Sequence, residues 1–230
     1  MRDLVKDFIQ VSSYALKATF SKLGKVYLVF AFILLRLILQ DTGMLGISAF
    51  GSIGGFVNYL VDVLVLSFVV QALRAVVIYG NPGKKSVQTS INTFFQPLLS
   101  TMFYLYIINL LVDMLVMGAS QRGAFVVSFI VKLLTSALLE EVYIGNKHGF
   151  YAVSSSVKFV IDNPLTYGLI SAIFILVESL LMMNLQGLGI NTLITIIIIA
   201  VIRTFFCVIR GHIFKYTDEH PYRQRKFMRG

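Results

Sequence analysis

The sequence predicts an all-α integral membrane protein. It has six transmembrane helices arranged as three helix-hairpin repeats, each preceded by an amphipathic interfacial helix, with both termini cytoplasmic. Three observations carry this. The chain is 57% hydrophobic and 13% charged, against roughly 25% charged in an average soluble domain, so it cannot cover itself with polar surface. Its apolar runs recur at lengths suited to a bilayer about 30 Å thick. Its basic residues lie almost wholly on one side of those runs.

The first repeat occupies about residues 1–80. Its opening segment is too polar to span, yet it places Phe8, Val11 and Ala15 at helical spacing, the pattern of an interfacial helix. Gly24 then disfavours helix continuation, an ascending span covers 26–44, and a Gly-containing loop DTGMLGISAFGSIGG leads to a descending span at 56–78. The second repeat, about 81–146, replays this order with SVQTSINTF from Ser86, Pro97, spans at 98–116 and 125–144, and the loop MGASQRG. The third, about 147–230, does so with YAVSSSVKF from Tyr151, where Val153, Val157 and Val160 share a helical face. Pro164, spans at 165–183 and 192–209, and the loop NLQGLGIN follow. Thr19, Ser90 and Ser156 correspond across the three opening segments. The descending runs end alike, in VIYGNPG from Val77, VYIGNKHG from Val142 and, less faithfully, VIRGHIF from Val208.

Charge fixes the expected orientation. Of 20 Lys and Arg, 15 fall in the two terminal segments and in the loops around Lys84 and Lys147, one (Arg122) falls in an opposite loop, and Arg36, Arg74, Lys132 and Arg203 lie within spans. The positive-inside rule then places both termini in the cytoplasm, with the cytoplasmic membrane of a bacterium as the expected location. A net charge of +9 would suggest nucleic acid in a soluble protein. Here topology already accounts for it, so no nucleic-acid partner is expected. Tyr27, Tyr79, Tyr143, Tyr167 and Tyr216 all fall at expected cytoplasmic ends and read as an aromatic belt. The start MRDLVKDFIQ lacks the apolar stretch of a cleavable signal peptide.

Chemistry is expected where ionisable groups enter the bilayer, since each costs several kcal/mol there unless paired or hydrated. Counting about 1.5 Å per residue from the cytoplasmic ends, Arg36, Lys132 and Glu178 lie roughly 15–20 Å deep, with Asp62 and Asp113 slightly deeper. Arg74, Glu140, Glu141 and Arg203 lie within about 10 Å of the inner face. One reading is a polar intramembrane site formed by Asp62, Asp113, Lys132, Glu178 and Arg36 for an ion, proton or headgroup. The other is a set of ion pairs that hold helices together, or that face a protein partner or a second copy of the chain.

No enzyme constellation is found: HExxH, GxSxG and a Gly-rich phosphate loop are absent, and His148, His212 and His220 have no ligand spacing. Glu140 and Glu141 resemble the paired glutamates of intramembrane CAAX-type proteases. That motif requires Arg four residues after the second Glu, where this chain has Gly145, and no FxxxH follows. No cofactor or metal is expected. Cys207, the single cysteine, reads as a buried packing residue. The basic tail with Arg223, Arg225, Lys226 and Arg229 reads as a binder of anionic lipid headgroups. The expected function is transport-related, or that of the membrane subunit of a translocation complex. The alternative is a noncatalytic scaffold or assembly factor that engages a partner protein or anionic lipid.

Overall fold

A computed structural model describes residues 2–41, 51–118, 120–187 and 192–227. Helices account for 89% of the chain and no strand occurs among the described residues. The elements are α1 (Arg2–Phe20), α2 (Tyr27–Asp41), α3 (Gly51–Arg74), α4 (Gln96–Val116), α5 (Gln121–Leu134), α6 (Leu138–Tyr143), α7 (Gly149–Asp162), α8 (Leu169–Gly187), α9 (Thr192–Glu219) and α10 (Tyr222–Phe227). Residues 42–50 and 188–191, which include the end expected for the first span, most of the first loop and half of the last, lie outside the described residues.

Five helical stretches are long and apolar enough to cross a membrane: Gly54–Tyr79, Ile91–Val116, Arg122–Tyr143, Pro164–Met182 and Thr192–Glu219. The apolar stretch Tyr27–Gln40 within α2 is shorter. At about 1.5 Å per residue it reaches about 21 Å, less than a hydrocarbon core.

Burial sorts these helices into inner and outer. In α3, 67% of the apolar window is covered by protein, because nearly every face carries Val, Leu or Ala, including Val63, Leu66, Val70 and Leu73. In α4 the share is 11%, so its outward Tyr106, Leu111 and Leu115 need lipid or another protein as solvent. α2 and α9 pack against α3, and α3, α6 and α9 contact one another.

α1 is a helix with three distinct faces. Asp7, Val11, Ala15 and Thr19 are buried at four-residue spacing against α9. Val5, Ile9, Leu16 and Phe20 form an exposed apolar stripe, and Lys6 and Lys17 lie on a third side. α7 repeats the arrangement, with Ala152, Val153, Ser156 and Val160 buried and Phe150 and Ile161 exposed. The second opening segment differs. It is a 3₁₀ turn (Lys84–Thr89) and a π turn (Ile91–Phe95) that runs directly into α4, so Pro97 does not end a helix. Proline is tolerated at the first helical turn, where its missing N–H has no intrahelical partner to lose. Thr19, Ser90 and Ser156 are all buried.

Irregular backbone at these depths must still satisfy its polar groups. Between α5 and α6 the helix breaks at Thr135–Ala137, and the freed carbonyls find side chains: Ser156 Oγ donates to Leu134 O at 3.0 Å and Tyr167 Oη to Ser136 O at 3.2 Å. After α3 a π turn spans Ala75–Tyr79 and ends on Gly80 at φ 62°, a left-handed conformation suited to glycine. There Lys22 Nζ donates to Val76 O at 3.1 Å and Lys25 Nζ to Gly80 O at 2.7 Å.

Candidate functional site

The intramembrane charges are distributed between hairpins rather than gathered in one site. In the α2–α3 hairpin, Arg36 grips Asp62 bidentately, Nε to Oδ1 and Nη2 to Oδ2, both at 2.8 Å, and Gln40 Nε2 adds a third bond to Oδ1 at 2.9 Å. A bidentate guanidinium–carboxylate contact fixes helix register as well as neutralising charge. The pair is 25% and 29% exposed and borders a cleft of about 320 Å³ between α2 and α3, lined also by Asn58, Tyr59 and Leu39. Tyr59 Oη donates to Leu99 O at 2.9 Å, tying the cleft wall to α4.

In the α8–α9 hairpin, Arg203 directs both Nε and Nη2 onto Glu178 Oε1. Asp113 on α4 and Lys132 on α5 are exposed, and no ion pair among the described residues includes either. Of the five residues expected to share one polar site, the structure therefore brings together Arg36 with Asp62. Glu178 joins Arg203 instead, and Asp113 and Lys132 stand apart.

The inner-rim residues divide in the same way. Arg74 lies over the Phe94 ring, 5.5 Å from its centroid. Glu140 and Glu141 do not form a cytosol-facing pair, because α6 packs both inward and leaves each 1% exposed. Glu140 Oε1 lies 3.5 Å from Arg210 Nε, and Arg210 in turn stacks over Phe174 at 5.6 Å. Glu141 binds Ser155, whose Oγ donates at 2.8 Å, and Lys147, whose Nζ lies at 2.8 Å. Around Glu140 sit Tyr143 and Tyr167, both fully buried. They are core residues and not members of an aromatic belt, whereas Tyr27 and Tyr79 are exposed as a belt requires.

The tail holds a further correction. Arg223 and Lys226 are exposed, and Arg229 lies outside the described residues. Arg225 is 1% exposed. Its Nε and Nη2 donate to the two carboxylate oxygens of Asp7, each at 3.0 Å, and Nη1 donates to His220 O at 2.5 Å. α10 folds back so that this guanidinium reaches α1, which a linear reading of a basic tail does not reveal. Just beyond the other end of α1, burial, then Lys215 and Lys25, pull the Lys22 ammonium below the ordinary lysine value.

Sequence reading missed Asp7, Arg210, Tyr143 and Tyr167 as members of buried networks. Arg210 had a signal, since it directly follows the apolar run at 205–209 within VIRGHIF. Cys207 is buried, as a packing residue would be.

Fold and charge placement together define a class: an all-helical protein with five helices long and apolar enough to span a bilayer and paired charges within them, compatible with an integral membrane protein. No family model, curated protein or solved structure matches this chain.

Proposed function

We propose that the chain is a six-span protein of three hairpin repeats with both termini cytoplasmic, and that it is transport-related or the membrane subunit of a translocation complex. Its polar intramembrane site is the α2–α3 cleft. The carrying observation is the Arg36–Asp62–Gln40 network, partly exposed and bordering a cleft of about 320 Å³. An ionisable residue within a span is by default a candidate for an ion or substrate pathway. The sixth span is the one that contains α2, which lines this cleft.

The threefold reading draws support from packing. α1 lies on α9, the second opening segment lies on α3, and α7 lies on α6 and α4, so each opening segment covers the descending helix of the preceding hairpin. α1 closes the ring by covering the last one.

The test is a flux screen on full-length protein reconstituted in vesicles, using dyes for proton and monovalent cations. Asp62→Asn abolishes the flux found for wild type while the detergent melting profile shifts little. If instead stability collapses and flux persists, the pair is a structural clamp and the cleft is not a pathway.

A second reading, a noncatalytic scaffold or assembly factor, is favoured by the exposed and unpaired Asp113 and Lys132 on α4 and α5, two of the least covered helices. Such charges are costly against lipid and suit a partner span. Extraction in mild detergent as a single homogeneous species, with no partner and no retained lipid, removes this reading.

A further inference from the structure

A second cleft lies on the polar side of α7, apart from the intramembrane pairs. It encloses about 390 Å³ and is lined by Glu141, Lys147, Ser154, Lys158, Asp162 and Asp218 among others. Its floor is internally satisfied through the Ser155 and Lys147 contacts to buried Glu141. Its rim is not. No ion pair among the described residues includes Lys158, Asp162 or Asp218. The acidic members are notable because they gather on a protein of net charge +9.

The order of charges along α7 carries the argument. Lys158 and Asp162 are one helical turn apart, with Cβ atoms about 5–6 Å from each other. Asp218, from the end of α9, lines the same cavity. The cleft thus offers a cation to an anionic group and, from the next turn of α7 and the end of α9, two carboxylates to a cationic group. A ligand that satisfies both carries a phosphate and an ammonium joined by a short link. Beside this polar side, α7 exposes Phe150 at 62% and Ile161 at 60%, an apolar stripe of the kind that rests in the acyl region.

We propose that the cleft binds the phosphoethanolamine headgroup of a membrane lipid, with the phosphate on Lys158 and the primary ammonium on Asp162 and Asp218. A primary ammonium donates up to three hydrogen bonds to those carboxylates, whereas a trimethylated one donates none. A purely anionic headgroup leaves both carboxylates unmatched. The proposal rests on the reading of α7 as an interfacial helix. The chain contains no Trp, so Phe150→Trp gives a single emitter, and quenching by brominated lipid tests that reading separately.

The experiment exposes full-length protein in mild detergent to equal amounts of ethanolamine, choline and glycerol phospholipids and measures the retained lipid by native mass spectrometry. The expected result is retention of the ethanolamine lipid over the other two by about tenfold. The double variant Asp162→Asn/Asp218→Asn brings its ratio to the choline lipid close to one with an unchanged melting profile. Lys158→Gln, should the double variant not fold, weakens retention of all three, while Asp3→Asn, an exposed acid on α1, leaves the ratio as in wild type. Equal retention of choline lipid, preference for the glycerol lipid, or a wild-type ratio in the folded double variant overturns the proposal. Binding of soluble phosphoethanolamine without any lipid selectivity overturns the lipid assignment and identifies a soluble zwitterion as the ligand.

Discussion

Gly211 is the residue on which the central packing turns. A Cβ placed there would overlap the Tyr143 hydroxyl and approach Val77 Cγ2 to 2.9 Å, so α9, α6 and the segment following α3 meet at a point where only glycine fits. The neighbours are not flexible tips. Tyr143 is fully buried and Val77 nearly so. Gly211→Ala is therefore expected to destabilise the detergent-solubilised protein by about 1–3 kcal/mol, the range for overpacking a dense core. The Tyr143 hydroxyl has no hydrogen-bond partner among the described residues. Tyr143→Phe should cost little by itself and should recover part of the loss in the double variant. Thermal unfolding of the four proteins reads this directly. Equal losses in both backgrounds would show that the overlap is relieved elsewhere.

At the level of elements, the first helix and the last are joined by the Asp7–Arg225 pair, 2% exposed on both sides. Burying two charges is costly, and a bidentate pair offsets that cost only while both partners remain. Asp7→Leu or Arg225→Met alone is expected to lose about 3–5 kcal/mol, and the two together considerably less than the sum. Denaturant titration of the four proteins decides it, and simple additivity would mean that the two residues act separately. The same seam contains Tyr14 against Tyr216, with ring centroids 4.6 Å apart, and a bond from Gln10 Nε2 to Tyr216 Oη at 3.4 Å. α1 is thus held by polar and aromatic contacts as well as by Val11 and Ala15. Its remaining apolar stripe is free to meet the bilayer. Phe20→Trp should be quenched by brominated lipid, and Lys17→Trp, on the charged side, should not.

For the whole molecule, both termini are expected on the cytoplasmic side. Cysteines introduced singly at Asp3 and Lys226, in a chain whose only native cysteine is buried, should react with an impermeant maleimide in inverted vesicles and not in intact cells. Reaction of just one of the two in intact cells would remove the six-span arrangement, and reaction of both would reverse its orientation. Much of the architecture was legible in the sequence. The helical class follows from apolar run length, and the amphipathic character of α1 and α7 follows from the spacing of Val11 and Ala15 and of Val153 and Val160. Those features depend on near neighbours in the chain and on the solvent each run requires. Partner choice was not legible. Glu178 closes on Arg203 rather than on Lys132, Glu140 turns inward to Arg210, Arg225 leaves the basic tail to meet a residue 218 positions away, and Pro97 lies in the first turn of α4, directly after a π turn. What the sequence alone determined is which segments need lipid and which carry charge. What only the tertiary structure decided is which charge answers which, because a buried ion finds its counter-ion through the packing of helices distant in the chain.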